Sequence, residues 1–184
     1  MSSVKNDAKE TAMHILGSKK WPMPLPTPSS VMRDDFDSLK QGKWFISRKL
    51  DGVRTLVIIS HLNGSPYCVL VDRAGNMSKE KVRTFKKELY AGTILDAELM
   101  DDNKLYVFDA YAYCGYTLEQ KFQERQQQLK TAISEIEYPK MIQKEFSLLE
   151  DASGDVFNSS ISDGVVLVNS EHFAMKRGAM CFGR

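Results

Sequence analysis

The stretch "KWFISRKLDGVRTLVIIS", residues 43–60, decides the fold because a charged connection joins two strand patterns. The flanking segments "KWFIS" and "RTLVIIS" are rich in aromatic and β-branched residues, a composition typical of strands. Between them lie Lys49, Asp51 and Gly52, and Arg54 begins the second segment. Asp-Gly is a turn signal, so the pattern predicts a strand, a turn and a second strand, with Lys49 at the mouth of this unit.

The rest of the chain continues the strand pattern and adds helices. Further strands are predicted in "YCVLVD" (67–72), "TILDAEL" (93–99), "KLYVFDAYAY" (104–113), "KMIQKEFSLL" (140–149) and "DGVVLVN" (163–169). Helices are predicted over residues 5–17, 30–42, 78–89 and 117–136. Short polar turns between the strands favour antiparallel pairing. The sequence therefore predicts an α+β fold with antiparallel sheets and flanking helices.

The N-terminal region differs from the remainder in composition. "WPMPLPTPSS", residues 21–30, holds four of the six prolines and must run extended. In the short helix that follows, Val31, Phe36 and Leu39 are expected to face inward. We therefore divide the chain into residues 1–42, comprising a helix, an extended proline-rich segment and a short helix, and a main domain over residues 43–184.

Bulk properties exclude some classes of protein. The 184 residues are 42% hydrophobic with a net charge of +1, so no global basic field indicates nucleic acid. No apolar run is long enough to span a membrane, and the three scattered cysteines predict an intracellular, reducing compartment. A local cluster (Lys79, Lys81, Arg83, Lys86 and Lys87) is typical of a solvated helix interspersed with Glu80 and Glu88, with RNA guidance as the alternative.

Acidic residues stand beside apolar strands at several places. They are Asp96 and Glu98 in "ILDAEL", Asp109 in "YVFDAY" and Asp163 in "SDGVVLV". We expect each carboxylate at the rim of a sheet. Taken singly, such residues are more typical of turns and solvated faces.

Together with Lys49, this set predicts phosphoryl chemistry. A lysine nucleophile needs a lowered pKa, which Arg54 and Lys176, or a divalent ion held by Glu98 and Asp163, would supply. Hard oxygen ligands suit Mg²⁺ or Mn²⁺ bound with substrate phosphates. The combination predicts attack on an α-phosphorus and a covalent lysine–nucleotide.

The ordered motifs resemble those of the covalent nucleotidyltransferases, which include mRNA capping guanylyltransferases and polynucleotide ligases. The matching segments are Lys49-Leu50-Asp51-Gly52-Val53-Arg54, Asp96-Ala97-Glu98, Phe108-Asp109 and Asp163-Gly164-Val165-Val166. The proline-rich lead-in, "VLVDRAGNM" and an initial Asp in the fourth motif look more like capping enzymes than ligases. The resemblance thus implies a nucleotidyltransferase domain over residues 43–184.

The resemblance also implies roles for individual residues. Lys49 would attack the α-phosphate of GTP, and Arg54 and Arg73 would contact the sugar and phosphates. Glu98 would bind the ribose or the metal, and Phe108 would stack on the base. The metal, Mg²⁺ or Mn²⁺, would lie on Asp163. Asp51, Gly52, Asp96 and Asp109 would support the site, and GMP would pass to the 5′-diphosphate end of RNA.

Three departures from the family pattern keep alternatives open. Ala97 replaces a glycine, and the usual Lys-x-Lys motif is represented only by Lys176 in "MKRGAM". We also expect no C-terminal oligonucleotide-binding (OB) barrel within these residues, so a separate OB-fold, RNA triphosphatase or methyltransferase subunit is an expected partner. The alternatives to guanylyl transfer are an ATP-dependent ligase-type adenylyltransferase and a catalytically silent nucleotide- or RNA-binding module.

Overall fold

The computed structural model describes residues 2–22, 25–156, 164–172 and 179–183. The helices are α1 (Ser2–Ile15), α2 (Phe36–Gln41) and α3 (Phe122–Ser134). Short 3-10 turns occupy Arg33–Asp35, Lys87–Ala91, Leu149–Asp151 and Gly154–Val156. The strands are β1 (Ser29–Ser30), β2 (Trp44–Arg48), β3 (Val53–Leu62), β4 (Ser65–Asp72), β5 (Met77–Glu80), β6 (Arg83–Thr84), β7 (Thr93–Leu99), β8 (Leu105–Tyr113), β9 (Tyr116–Thr117), β10 (Ile136–Glu137), β11 (Met141–Gln143), β12 (Ser147–Leu148), β13 (Gly164–Asn169) and β14 (Ala179–Gly183).

The described residues form two larger sheets and one small one. The larger has seven strands, in the order β11-β8-β7-β3-β4-β5, with β9 also paired to β8. The second has five, in the order β1-β14-β13-β2-β12, and β10 pairs with β6 alone. Most pairs are antiparallel, whereas β11–β8 and β1–β14 are parallel. The predicted α+β architecture with antiparallel sheets and flanking helices is confirmed.

The seven-stranded sheet is covered on both faces, which explains its long apolar strands. Along β3, Val57 and Ile59 pack in a core that includes Leu129 of α3. Leu56 and Ile58 point to the other face, where Ala8 and Ala12 of α1 pack. Because successive strand residues alternate between faces, both sets must be apolar. This two-sided packing fixes the register of β3 and therefore the position of the charged residues at its N-terminal end.

Three predictions about helices need correction. Residues 78–89 are not helical: they form β5, β6 and a 3-10 turn. The long helix is confirmed but is shorter than 117–136, because Glu124 accepts the Lys121 N–H and fixes the start at Phe122. Phe36 does not face inward, since 47% of its surface is exposed.

Two other predictions about the N-terminal region agree with the structure. Val31 and Leu39 pack on the core of the five-stranded sheet. In the proline-rich segment, Trp21 and Pro22 lie in a bend, residues 25–28 have no helix or strand, and β1 at its end is extended and pairs with β14. None of the described helices is long and apolar enough to cross a membrane.

Candidate active site

A cleft of about 690 Å³ opens where strand ends of the two larger sheets meet. Nine of the eleven residues predicted for the site line it: Lys49, Asp51, Gly52, Arg54, Arg73, Asp96, Glu98, Phe108 and Asp109. The remaining two, Asp163 and Lys176, lie outside the described residues. Residues far apart in sequence are therefore brought together, while their individual roles stay predictions.

The lysine loop is held by backbone contacts on both sides. The Lys49 N–H donates to the carbonyl of Gly164 at 2.8 Å, which continues the β2–β13 pairing. Gly52 N–H donates to Glu98 Oε1 at 3.2 Å. A Cβ on Gly52 would lie 2.5 Å from the carbonyl oxygen of Leu99, so this close approach requires glycine.

The first charge pair of the cleft is buried. Arg54 Nε and Nη2 donate to the two carboxylate oxygens of Asp96 at 3.0 and 2.6 Å. The Tyr111 hydroxyl also donates to Asp96, and Arg54 Nη1 donates to the carbonyl of Pro26 at 2.6 Å. Asp96 is 0% exposed, so our prediction that it lies at a sheet rim is wrong.

Burial and pairing act against each other in this group. Burial by itself would lower the pKa of Arg54, but the charge and hydrogen bonds of Asp96 raise that pKa above its ordinary value. Burial raises the pKa of Asp96, and Arg54 opposes that rise. Because a guanidinium keeps its proton in proteins, we treat the pair as ionic at neutral pH.

A second buried pair, which was not predicted, involves Asp109, whose side chain lines the cleft. Arg125 of α3 donates through Nε and Nη2 to Asp109, each at 2.8 Å. Its Nη1 donates to the carbonyls of Gln120 and His172 at 2.7 and 2.8 Å. Asp109, only 7% exposed, also departs from the predicted rim position. The spacing of Phe122, Arg125 and Leu129 on one helix face was the available sequence signal.

The apolar side of the cleft contains Phe108 and a lysine that the sequence analysis missed. Lys144 follows β11, and its N–H donates to the carbonyl of Val107 at 2.7 Å. Its Nζ lies 5.7 Å from the Phe108 ring centroid and 5.4 Å from that of Phe146. Lys144 is 8% exposed. A lysine set between apolar residues in "MIQKEFSLL" was the available signal.

The electrostatics of the cleft centre on Lys144 and Glu98. Burial lowers the pKa of Lys144 to about 8; Glu98 opposes that change and the positive charge of Lys49 adds to it. Burial raises the pKa of Glu98, against the Gly52 N–H and the charges of Lys144 and Arg73. A cation or a phosphate-rich ligand that enters the cleft would change the pKa of both Lys144 and Glu98.

Glu98 suits a divalent metal bound together with phosphates. Mg²⁺ typically takes one or two carboxylates and fills its other positions with water and phosphate oxygens. Glu98 presents a carboxylate to the cleft, and only one of its oxygens accepts the Gly52 N–H. Within the described residues, no group of three or more His, Cys, Asp or Glu side chains forms an all-protein metal cage. The donor set therefore fits a metal that binds together with phosphate oxygens.

Comparison with known proteins identifies a family. The family model described as the mRNA capping enzyme catalytic domain matches residues 1–167. The chain belongs to this family. The family assignment confirms the resemblance carried by the motifs from Lys49 onward.

Solved structures of DNA ligases have a fold similar to that of this chain. A structure of Lig E DNA ligases matches with a TM-score of 0.57 and 15% identity, over 87% of this chain and 68% of that one. The ligase domain of M. tuberculosis LigD matches with a TM-score of 0.54 and 18% identity, over 86% of this chain and 58% of that one. These likenesses show a shared nucleotidyltransferase fold. The chain spans less than two thirds of the LigD domain.

Proposed function

We propose that this capping-enzyme domain transfers GMP from GTP to the 5′-diphosphate end of RNA. The observation that carries the proposal is the position of Lys49 in one cleft with Glu98, Phe108 and Lys144. Such a cleft offers an amine, a carboxylate, an aromatic face and a second cation to one nucleotide. Family membership supports the same assignment.

In the first step, Lys49 Nζ attacks the α-phosphorus of GTP. A nitrogen–phosphorus bond forms, the bond from the α-phosphorus to the bridging oxygen breaks, and pyrophosphate leaves. The amine must be neutral to attack, and two neighbouring lysines disfavour each other's protonation. Lys144 lines the same cleft, and its pKa is lowered mainly by burial and further by the positive charge of Lys49, which supports a position of the two amines near each other.

In the second step, a terminal oxygen of the RNA diphosphate attacks the same phosphorus. The nitrogen–phosphorus bond breaks, Lys49 regains a proton, and a 5′–5′ linkage joins GMP to the RNA. Arg73, exposed at the rim of the cleft, is proposed to contact phosphates in both steps. Arg54 lines the cleft and is retained as a sugar and phosphate contact, although Asp96 and Pro26 already fix its orientation.

The metal is proposed to bind with the triphosphate. Glu98 would hold Mg²⁺ or Mn²⁺, with Asp163 as the predicted second ligand. Bound there, the ion would neutralise charge on the α-phosphate and the leaving pyrophosphate. Glu98 also keeps the Lys49–Gly52 loop in place through its hydrogen bond to Gly52, whether or not an ion is bound.

The position of Lys144 supports GTP rather than ATP as the substrate. Phe108 offers a face on which a purine can stack, and the Lys144 ammonium lies beside that ring. Guanine has acceptors at O6 and N7, whereas adenine carries an N6 amino donor at the equivalent edge. An ammonium group is a donor only, so it favours the guanine edge and leaves the adenine donor unpaired.

The experiment uses GTP and ATP, each labelled at the α-phosphorus, in parallel incubations with Mg²⁺ or Mn²⁺. Label from GTP that survives denaturing electrophoresis and then moves to RNA with a 5′-diphosphate end is the expected result. Lys144→Met should reduce the GTP-to-ATP labelling ratio by about tenfold, while Lys140→Met, at an exposed lysine, leaves it unchanged.

The same experiment distinguishes the alternatives. Label from ATP alone, followed by sealing of a nicked duplex, would assign ligase-type adenylyl transfer, which the structural likeness to ligases favours. No label from either nucleotide, with retained nucleotide binding, would assign the silent binding module. Either result contradicts guanylyl transfer.

A further inference from the structure

The basic cluster of residues 79–87 is not an α-helix: β5 and β6 are extended, Phe85 lies in a bend and Lys87 begins a 3-10 turn. Side-chain exposure alternates from Lys79 to Lys87. The residues exposed on the outer side are Lys79, Lys81, Arg83, Phe85 and Lys87, which we call the basic edge strip. Those between them are partly buried, as expected for an extended chain with one face on the protein.

The alternation of exposed and partly buried side chains keeps most acidic groups away from the exposed face of the basic edge strip. Glu80 turns inward, and its carboxylate accepts the Tyr138 hydroxyl at 3.0 Å. Lys86 also turns inward and donates to the Tyr113 hydroxyl at 2.8 Å. Nearby exposed acids are Glu88, which follows the strip, and Glu137, which pairs with Arg83 in the backbone register. Four cations thus share one outward face with few acids beside them.

The strip begins next to the active-site cleft. Arg73 lines the cleft at the end of β4, and Asp72 closes the following turn through hydrogen bonds to Asn76. β5 then leaves this turn antiparallel to β4, as the last strand in the order of the seven-stranded sheet. A chain whose 5′ end lies in the cleft can therefore pass Arg73 and continue along the strip.

We propose that the basic edge strip binds the acceptor RNA downstream of its 5′ end, as a single strand. Alternate residues of a strand lie about 6.6 Å apart, close to the separation of consecutive phosphates in an extended single strand. Phe85 is 75% exposed and presents a ring for base stacking among the cations. This inference rests on the proposed function for the position of the 5′ end.

Protection of the sheet edge against pairing with other chains does not by itself explain the basic edge strip. Charges on an edge strand discourage pairing with other chains, and Lys79 on β5 suits that role. The cations nevertheless continue onto β6, which is already paired with β10. An exposed phenylalanine would weaken edge protection, whereas it suits a nucleic-acid surface.

The test compares RNA binding by two triple variants of the full chain. Lys79→Gln/Lys81→Gln/Arg83→Gln removes three charges from the strip. Lys5→Gln/Lys40→Gln/Lys104→Gln removes three exposed charges from other elements and serves as the control. Binding of 3′-labelled, 5′-diphosphate RNA that is long enough to span the strip is followed by fluorescence anisotropy at several salt concentrations, without GTP or metal.

The strip variant should bind this RNA at least about tenfold more weakly, with a salt slope smaller by about 2, and the control should match the wild type. Phe85→Ala should weaken binding about fivefold or more. Binding of a dinucleotide that ends in the cleft should be unchanged in every variant. Unchanged binding of the long RNA by the strip variant, or equal losses in both triple variants, would overturn the proposal.

A separate assay of lysine–GMP formation, which needs no RNA, keeps the two proposals apart. If the strip variant forms the adduct normally and binds RNA as well as the wild type does, RNA binding by the basic edge strip is rejected and guanylyl transfer is not. Absence of the adduct in the wild type, with a specific loss of RNA binding in the strip variant, would reject guanylyl transfer and retain the strip.

Discussion

Arg54 and Asp96 join the start of one central strand to the middle of its neighbour through hydrogen bonds of 3.0 and 2.6 Å. In the backbone register Arg54 lies opposite Glu98, so its side chain reaches diagonally to the residue two positions along. The pair thereby positions Arg54 at the floor of the cleft, beside Phe108, whose ring centroid lies 5.6 Å from its guanidinium carbon.

Loss of one charge of this pair should destabilise the fold. Asp96→Asn leaves the Arg54 guanidinium buried without a counter-charge, and we expect a loss of about 3 kcal/mol or more in the free energy of unfolding. Urea unfolding measures it. Asp102→Asn, at a carboxylate whose partner Lys104 is half exposed, is the control and should leave stability nearly unchanged. A small loss in Asp96→Asn would contradict a structural ion pair.

The lysine loop should fail when Gly52 gains a methyl group. In Gly52→Ala the new Cβ meets the carbonyl oxygen of Leu99 at 2.5 Å, so the backbone must shift and carry Lys49 with it. We expect adduct formation to slow by about a hundredfold. Gly154→Ala, where the added Cβ meets nothing within 4 Å, is the matched control. Equal rates in the two variants would show that this close approach does not position the nucleophile.

Much of this arrangement could be predicted from sequence. The strands β2, β3, β4, β7 and β8 were recognisable because apolar and β-branched residues mark them locally. The residues that line the cleft could be grouped because their motifs occur in a familiar order. The residues 78–89 were misassigned because cations at every second position also fit a solvated helix. Only pairing with β4 and β10 reveals the extended form.

Burial of the charged residues was not predictable in the same way. Asp96 was expected at a rim because nothing next to it in sequence indicates its partner, which is 42 residues away. Lys144 was missed because its role depends on the parallel pairing of β11 with β8, which places it beside Phe108. Tertiary contacts, rather than local patterns, determine both environments.

The buried lysine should make stability depend on pH. Because burial lowers the Lys144 pKa from 10.5 to about 8, the folded state is penalised for holding a charged lysine at neutral pH. The penalty is complete below pH 8 and disappears as the pH rises to 10.5, where the unfolded chain also loses this proton. Lys144→Met should therefore be more stable than the wild type at pH 7, by up to about 3 kcal/mol.

Urea unfolding of the wild type and Lys144→Met between neutral and alkaline pH tests this expectation. The stability difference should shrink as the pH rises, since titration of every other group is common to both proteins. Lys140→Met, at an exposed lysine, should show a difference that does not vary with pH. If Lys144→Met is less stable than the wild type at every pH, the charge of Lys144 does not destabilise the folded protein. That result would contradict the view that this buried charge is retained for binding at a cost in stability.

The covalent bond to Lys49 is the central claim, and mass spectrometry of the denatured protein tests it most directly. After incubation with GTP and Mg²⁺ or Mn²⁺, the account predicts added mass equal to one GMP, mapped to the peptide that contains Lys49. Pyrophosphate should remove it, and Lys49→Arg, which keeps the charge, should never acquire it. An adduct that persists in Lys49→Arg, or no adduct in the wild type with either GTP or ATP, would contradict the account.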